Sequence, residues 1–435
     1  VSPGEIQTIL AIAVFVGAYV LIATERVHRV AAALGGAALM LVIGATDADA
    51  AFFDEETAID WNVIFLLLGM MIIVSVVRQT GLFEYLAIRA AKAAKGRPYR
   101  VMVLLVLLTA VASALLDNVT TVLLMAPVTL LVCSTIGVRP ELFLIAEVLA
   151  SNIGGAATLV GDPPNIIIAS RAGLSFNDFL VNLVPIVVLL MVVFVVLLRW
   201  LFRSAFTFQP ARAQALMDLD ERKAIRDPVL LRRSLAVLGA TVVGFLVHGA
   251  LGTEPSVVAL LGAGAMVLVT RVTQHEYLEE VEWPTLVFFA GLFVMVGALV
   301  NVGLIEAIGE WMVQTVGDNI LAAMTTLLFG SAVLSAIVDN IPFVATVAPL
   351  VSDLVTSTGS AQAESLWWAL ALGADLGGNA TAVGASANVV VLGIAARNGV
   401  PISFWRFTRY GIVVAAITVT LSWPYLYLRY FVLAG

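Results

Sequence analysis

SALLDNVTTVLLMAP at residues 113–127 and NIGGAATLVGDPPN at 152–165 return as SAIVDNIPFVATVAP at 335–349 and DLGGNATAVGASAN at 375–388. The offset is 222 for the first element and 223 for the second. Trp61 to Glu84 likewise maps onto Trp283 to Glu306 at 222, with Gly69/Gly291 and Gly81/Gly303 in register. Both copies lie in a chain that is otherwise almost continuously apolar. A duplicated half of this size, interrupted by Gly, Pro and Asn, is the sequence sign of a secondary transporter.

Composition fixes the solvent. With 61% hydrophobic and 12% charged residues and a mean hydropathy of +1.03, the chain is an integral membrane protein and not a soluble domain. Its 435 residues hold about ten apolar stretches of spanning length, each of about 20 residues. A net charge of -7 argues against nucleic acid as a partner. The single cysteine, Cys133, excludes an internal disulfide and a thiolate cage, and reads as a small core residue. Residues 5–23 lack a basic leader region and read as a first span, not a cleavable signal.

Spans are expected near 6–23, 30–45, 61–78, 141–171 and 180–203, then 234–251, 256–271, 283–301, 365–396 and 410–428. Five per half is an odd number, so the second half enters the membrane inverted relative to the first. The units are a first repeat at 1–203, a linker at 204–233 and a second repeat at 234–435, together one membrane domain. Arg78, Arg89, Lys92, Lys95, Arg97 and Arg100 fall in one connection, and Arg203 to Arg233 in another; both are expected in the cytoplasm. Residues 46–60 carry six acidic and no basic residues, and 352–364 are also free of Lys and Arg, so these face outward, as do both termini. Only Arg171 and Arg429 break that pattern.

Residues 98–136 and 320–351 do not fit the span count. Each is a long apolar stretch divided by Asp-Asn, and reads as a re-entrant hairpin with arms of about 16 to 18 residues. Asp117-Asn118 and Asp339-Asn340 form the tips. An interfacial arm precedes each hairpin, at 81–95 and 303–314. In the spans 141–171 and 365–396, Gly155, Gly161, Gly378, Gly384 and the Pro163-Pro164 pair break the helix. Non-helical backbone at that depth must be buried in protein or line a cavity. The candidate binding residues are therefore Asp117, Asn118, Asn152, Gly155, Thr158, Gly161, Asp162, Asn165, Asp339, Asn340, Asp375, Gly378, Asn379, Thr381, Gly384, Ser386 and Asn388. A Na⁺ ion would be expected near Asp117, Asn118, Asn165, Asp339, Asn340 and Asn388, among side-chain oxygens and freed carbonyls. The copies differ where Asn152 aligns with Asp375, Asp162 with Ala385 and Ala156 with Asn379. Four membrane carboxylates result, each costly unless paired, protonated or cation-bound.

Simpler readings compete. Asp-Asn can be turn chemistry, Asp162 or Asp375 can cap the next half-helix, and Arg171 and Arg397 read as cations that end helices before glycine. Glu147 reads as a proton carrier or a pairing partner. His28, His248 and His275 lie near loop ends and are expected to be solvated.

The strings LLDNVTTVLLMAP, NIGGAATLVGDPPNIIIAS, VDNIPFVATVAP and GGNATAVGASANVV resemble the ion transporter superfamily, with its citrate transporter-like domain. Within it they are similar to the group joining the arsenite permease ArsB, the sodium/proton antiporter NhaD and the P protein. The resemblance covers nearly the whole chain and implies an all-α fold of about ten spanning helices, a homodimer, and in ArsB-like pumps a separate ATPase subunit. Related divalent-anion symporters carry Ser-Asn-Thr at the tips. Here Asp117 and Asp339 replace Ser, and Val119 and Ile341 replace Thr, which disfavours a di- or tricarboxylate.

No Walker motif, Gly-x-Gly-Asp or His-Glu-x-x-His occurs, so neither ATP hydrolysis by the chain nor intramembrane proteolysis is expected. The expectation is a secondary active transporter of the cell inner membrane, working by alternating access without a cofactor and coupled to protons or Na⁺. Arsenite or antimonite efflux is the first substrate reading. Na⁺/H⁺ antiport and a P protein-like anion transporter or channel are the alternatives.

Overall fold

Each span expected from the sequence is helical in the computed structural model, which describes residues 3–24, 27–54, 57–273, 277–308 and 319–433. The first half lays down α1 (Pro3–Ala23), α2 (Arg29–Val42), the short α3 (Ala48–Phe52), α4 (Trp61–Gln79) and α5 (Leu82–Ala93). It continues with α6 (Pro98–Leu115), α7 (Asn118–Ile136), α8 (Glu141–Gly155), α9 (Pro163–Ala172) and α10 (Phe176–Leu201). A linker with α11 (Pro210–Met217) leads to α12 (Pro228–Leu251), α13 (Pro255–Thr270) and α14 (Trp283–Asn301). Then follow α15 (Ile320–Ser335), α16 (Asn340–Thr358), α17 (Ser365–Gly377), α18 (Ser386–Arg397) and α19 (Phe404–Tyr427). Eight of the described helices are long and apolar enough to cross a membrane, shorter apolar helices supply the rest, and no strand occurs among the described residues.

The two halves interleave. α4 packs on α13 of the other half and α14 on α2, so each third span lies against the partner half's second. Gly69 and Gly291 keep register for this reason: a Cβ on either would stand 2.7 Å from the Ala259 carbonyl carbon and 2.9 Å from that of Ala33, respectively. In both hairpins the outgoing arm packs on its own half's broken helix, α6 on α8 and α15 on α17. The return arm packs on the other half's, α7 on α18 and α16 on α9.

Capping chemistry sets several boundaries differently from the sequence reading. α12 begins at Pro228, before residue 234, because Asp227 accepts from the Val229 and Leu230 N–H groups at 2.8 and 3.0 Å and proline suits the first helical position. α10 begins at Phe176 through a Ser175/Asp178 capping box. His248 is buried and not solvated: its Nε2 accepts from the Phe176 N–H at 3.1 Å, fastening α12 to the start of α10. His275 and the part of the second interfacial arm beyond residue 308 lie outside the described residues.

The basic connections gather on one face. Arg78 pairs with Glu280, Lys92 with Glu221 at 2.7 Å and Arg226 with Glu84 at 3.3 Å. On the opposite face Asn301 donates to Thr46 at 3.0 Å.

Candidate functional site

Asp117 and Asp339 stand at the N-termini of the two return arms, where their carboxylates accept from the Thr120 and Ile341 N–H groups at 2.7 and 3.1 Å. That is N-cap geometry at the end of an extended Asp-Asn turn. The following amides turn inward. Asn118 Nδ2 donates to Asn152 Oδ1 at 3.2 Å and to Asp162 Oδ2 at 2.7 Å, both in the interrupted span 141–172. The hairpin tip therefore meets the interruption part-way along a spanning segment, which is what makes it re-entrant.

The internal two-fold holds bond by bond. Ser113 donates to the Ser151 carbonyl at 2.8 Å and Ser335 to that of Ala374 at 2.7 Å. Thr158 and Thr381 donate to the carbonyls of Ala114 and Ala336, each at 2.6 Å. Asn165 and Asn388 donate to the Thr158 and Thr381 carbonyls at 3.1 and 2.8 Å. These threonine hydroxyls, expected to face a ligand, thus tie the breaks to the hairpins. Gly155 and Gly161 face each other across the break, as do Gly378 and Gly384. A Cβ on Gly161 would stand 2.4 Å from the Gly155 carbonyl oxygen, and one on Gly384 2.7 Å from that of Gly378, so these glycines close the break on itself.

The aligned mismatches break the symmetry at the centre. Asn152 donates to both Asn379 Oδ1 and Asn388 Oδ1 at 3.0 Å, crossing between halves. Asp162 starts α9 but makes no cap bond with it; its carboxylate accepts from Asn118 and, at 3.4 Å, from Asn340 of the other tip. Asp375, the counterpart of Asn152, is wholly buried, and neither carboxyl oxygen has a hydrogen-bond donor. The physical reason is arithmetic in donors. Asn165 lies beside Asp375, but its amide donates to the Thr158 carbonyl at 3.1 Å and makes no bond to Asp375 within 3.5 Å; Asn340 donates to Asp162, and Ala156 stands where the other half has Asn379. Asn118 Oδ1 and Asn165 Oδ1 are also buried without a donor. Asp162 lies close enough to Asp117, Asp339 and Asp375 to repel all three. The cluster is thus rich in oxygen and poor in donors, an arrangement that a proton, a hard cation or an O–H donor satisfies.

Glu147 is buried beside this centre in α8, with the Thr129 hydroxyl donating to one oxygen and the other without a partner. Its counterpart in the second half is Leu370. Among the described residues no three His, Cys, Asp or Glu side chains are grouped to hold a metal.

A cavity of about 550 Å³ on the face of the basic connections reaches Asp339 and Ser386 and is walled by Arg29, Glu282, Thr285 and Val389. Its pseudo-symmetric counterpart, about 330 Å³, lies between Asn62, Ile166 and Ser256 and does not reach Asp117. Of these two cavities only the first reaches a hairpin tip. Sequence reading missed Arg29, Thr285 and Glu282. The available signal was Arg29 itself, a cation in the first turn of a helix, where the macrodipole disfavours it.

Residues 19–373 match the family model described as citrate transporter, CitMHS. The chain belongs to this family. Over 428 residues it is 56% identical to an uncharacterized transporter of Mycobacterium tuberculosis, covering 98% of this chain and all of the relative. It is 33% identical to the Homo sapiens P protein over 97% of this chain and 60% of that protein. Among solved structures, the Alcanivorax borkumensis YdaH transporter is similar in fold at a TM-score of 0.59 and 15% identity, over 83% of this chain and 84% of that one. Neisseria gonorrhoeae MtrF, described as one of a class of antimetabolite efflux pumps, aligns at 0.58 and 13%, over 87% and 82%. As a member of the CitMHS family, the chain is a multi-pass membrane transporter with the paired hairpins and broken helices expected from its repeat.

Proposed function

We propose that this CitMHS-type transporter is a proton-coupled efflux carrier for a neutral hydroxylated solute, arsenite or antimonite, moved by alternating access. The observation that carries this reading is the set of buried oxygens without donors: both of Asp375 and one each of Asn118 and Asn165. A trihydroxide offers three O–H donors to such acceptors without adding negative charge, whereas a carboxylate substrate would bring more acceptors to a centre already holding four carboxyl groups. Protons carried on those carboxyl groups relieve their mutual repulsion and supply the coupling.

Na⁺/H⁺ exchange is the second reading, favoured by the same oxygens as ligands for a hard cation and by the Asp-Asn pair at each tip. The distribution of basic residues supports a cytoplasmic side for the face of the open cavity, with both termini outside and the protein in the inner membrane. A homodimer and a separate ATPase subunit stay expectations from family resemblance, beside the bilayer itself as partner.

The test is flux in reconstituted vesicles under imposed pH or Na⁺ gradients. Arsenite movement driven by the pH gradient and independent of Na⁺ is expected. Na⁺-dependent proton flux without arsenite movement selects the second reading, and neither flux overturns both. Asp117→Asn and Asp162→Asn are each expected to reduce coupled flux by at least about 100-fold while the protein still inserts, as for loss of a coupling charge worth about 3 kcal/mol.

A further inference from the structure

The two Asp-Asn tips are identical in sequence but not in surroundings. Ser386 donates to Asp339 Oδ2 and accepts from Arg29 Nη1 at 2.8 Å, while Arg29 Nη2 donates to Thr285 Oγ1 at 3.2 Å. Thr285 in turn donates to Glu282 at 3.1 Å. The guanidinium, stacked 5.5 Å from the Phe288 ring centroid, thus stands one hydroxyl away from each of two carboxylates. At the corresponding place in the first half Ser386 is replaced by Pro163, and the first turn of α13 supplies Pro255 where α2 supplies Arg29. Asp117 has only the Thr120 hydroxyl of its own arm beside it, and no counterpart of Ser386 or Arg29.

Arg29, Glu282 and Thr285 belong to α2 and the start of α14, helices of the interlocked scaffold, whereas Ser386 and Asp339 belong to a broken helix and a hairpin. Alternating access requires these groups of elements to move past one another. We propose that Arg29 is a positioning residue that latches the scaffold to the moving elements through Ser386 and Asp339, and that this latch must open before the cavity can close. Asp339 accepts the Ser386 hydrogen and so orders that hydroxyl with its free lone pair toward the guanidinium. The other charged or titratable groups facing Asp339 are Asp117, Asp162, Glu282, His28 and Tyr19. None of them bridges scaffold and hairpin through Ser386. The proposal rests on the alternating-access reading but not on the identity of the cargo.

The latch is formed in a state whose cavity is open, so breaking it should close that cavity. Val389 lines the cavity and is 38% exposed, which makes Val389→Cys in a Cys133→Ala background a reporter for a membrane-impermeant maleimide. With all variants held at one pH, labelling in Arg29→Gln should be slower than in the parent by about tenfold, the worth of one charge-assisted hydrogen bond. Arg29→Lys keeps the charge without the fork and should label at a rate between those of the parent and Arg29→Gln. Asp339→Asn should mimic Arg29→Gln, with no further change in the double variant. Labelling of Arg29→Gln at the parent's rate, or an Arg29→Gln effect that persists in full on Asp339→Asn, overturns the latch. No cargo or gradient is used, so failure of arsenite and Na⁺ flux would leave this result standing, and the reverse also holds.

Discussion

Asp375 and Asn152 differ only as carboxyl and amide and occupy equivalent places, yet one leaves two oxygens without donors and the other makes three side-chain hydrogen bonds. Asn152 donates to Asn388 Oδ1, and the equivalent acceptor for residue 375 is Asn165 Oδ1, which has no donor. Asp375→Asn should therefore complete the missing bond. A gain on the order of 1 kcal/mol is expected, seen as a higher unfolding temperature in detergent, together with loss of coupled flux. A variant that is less stable, or that transports normally, contradicts this account of the mismatch. At this scale much of the site was legible. An Asp-Asn pair in apolar sequence is too costly to be idle, and the unequal positions 152/375 and 162/385 could be read from alignment alone. What was not legible was direction. That Asp162 serves two tips instead of its own helix, and that Arg29 approaches Ser386 from 357 residues away, depends on which helices cross.

The helices themselves follow from period and breakers, and the hairpins from a repeat that left two apolar stretches outside the span count. Their close seating on the broken helices rests on small residues. A Cβ at Gly154 would stand 2.3 Å from the Ala110 carbonyl oxygen, and one at Gly377 2.5 Å from that of Ala332. Gly154→Ala and Gly377→Ala should each destabilise the folded protein by about 1–3 kcal/mol through overpacking, whereas Gly393→Ala, with nothing within 4 Å, should be close to neutral. Melting of the purified variants by intrinsic fluorescence distinguishes the three. Gly81 and Gly303 have a different cause, with φ of 76° and 74° where an interfacial arm begins. Helix starts were least legible because caps such as Asp227 and Ser175 act outside the apolar pattern.

Across the whole molecule the linker is held as well as threaded. Lys92 donates to Glu221 and to the Leu219 carbonyl, and holds the Glu221 carboxyl below its ordinary value of 4.5. A lowered carboxylate pKa contributes stability that is fully present above the unfolded value and is lost as pH falls through the folded one. Linker docking should therefore be pH-independent near neutrality and weaken in acid, with limited proteolysis within 204–227 rising below about pH 4.5. Glu221→Gln should remove that acid-dependent rise. The interleaving of hairpins and broken helices also has a consequence during synthesis. Asn340, a donor to Asp162, is encoded 178 residues after it. At about 5–20 residues per second, roughly 9 to 36 s pass before that amide exists. The first break must wait in the membrane with one carboxyl oxygen held by Asn118 and the other without its donor, making the nascent half a natural client for whatever shelters polar segments at the insertion site.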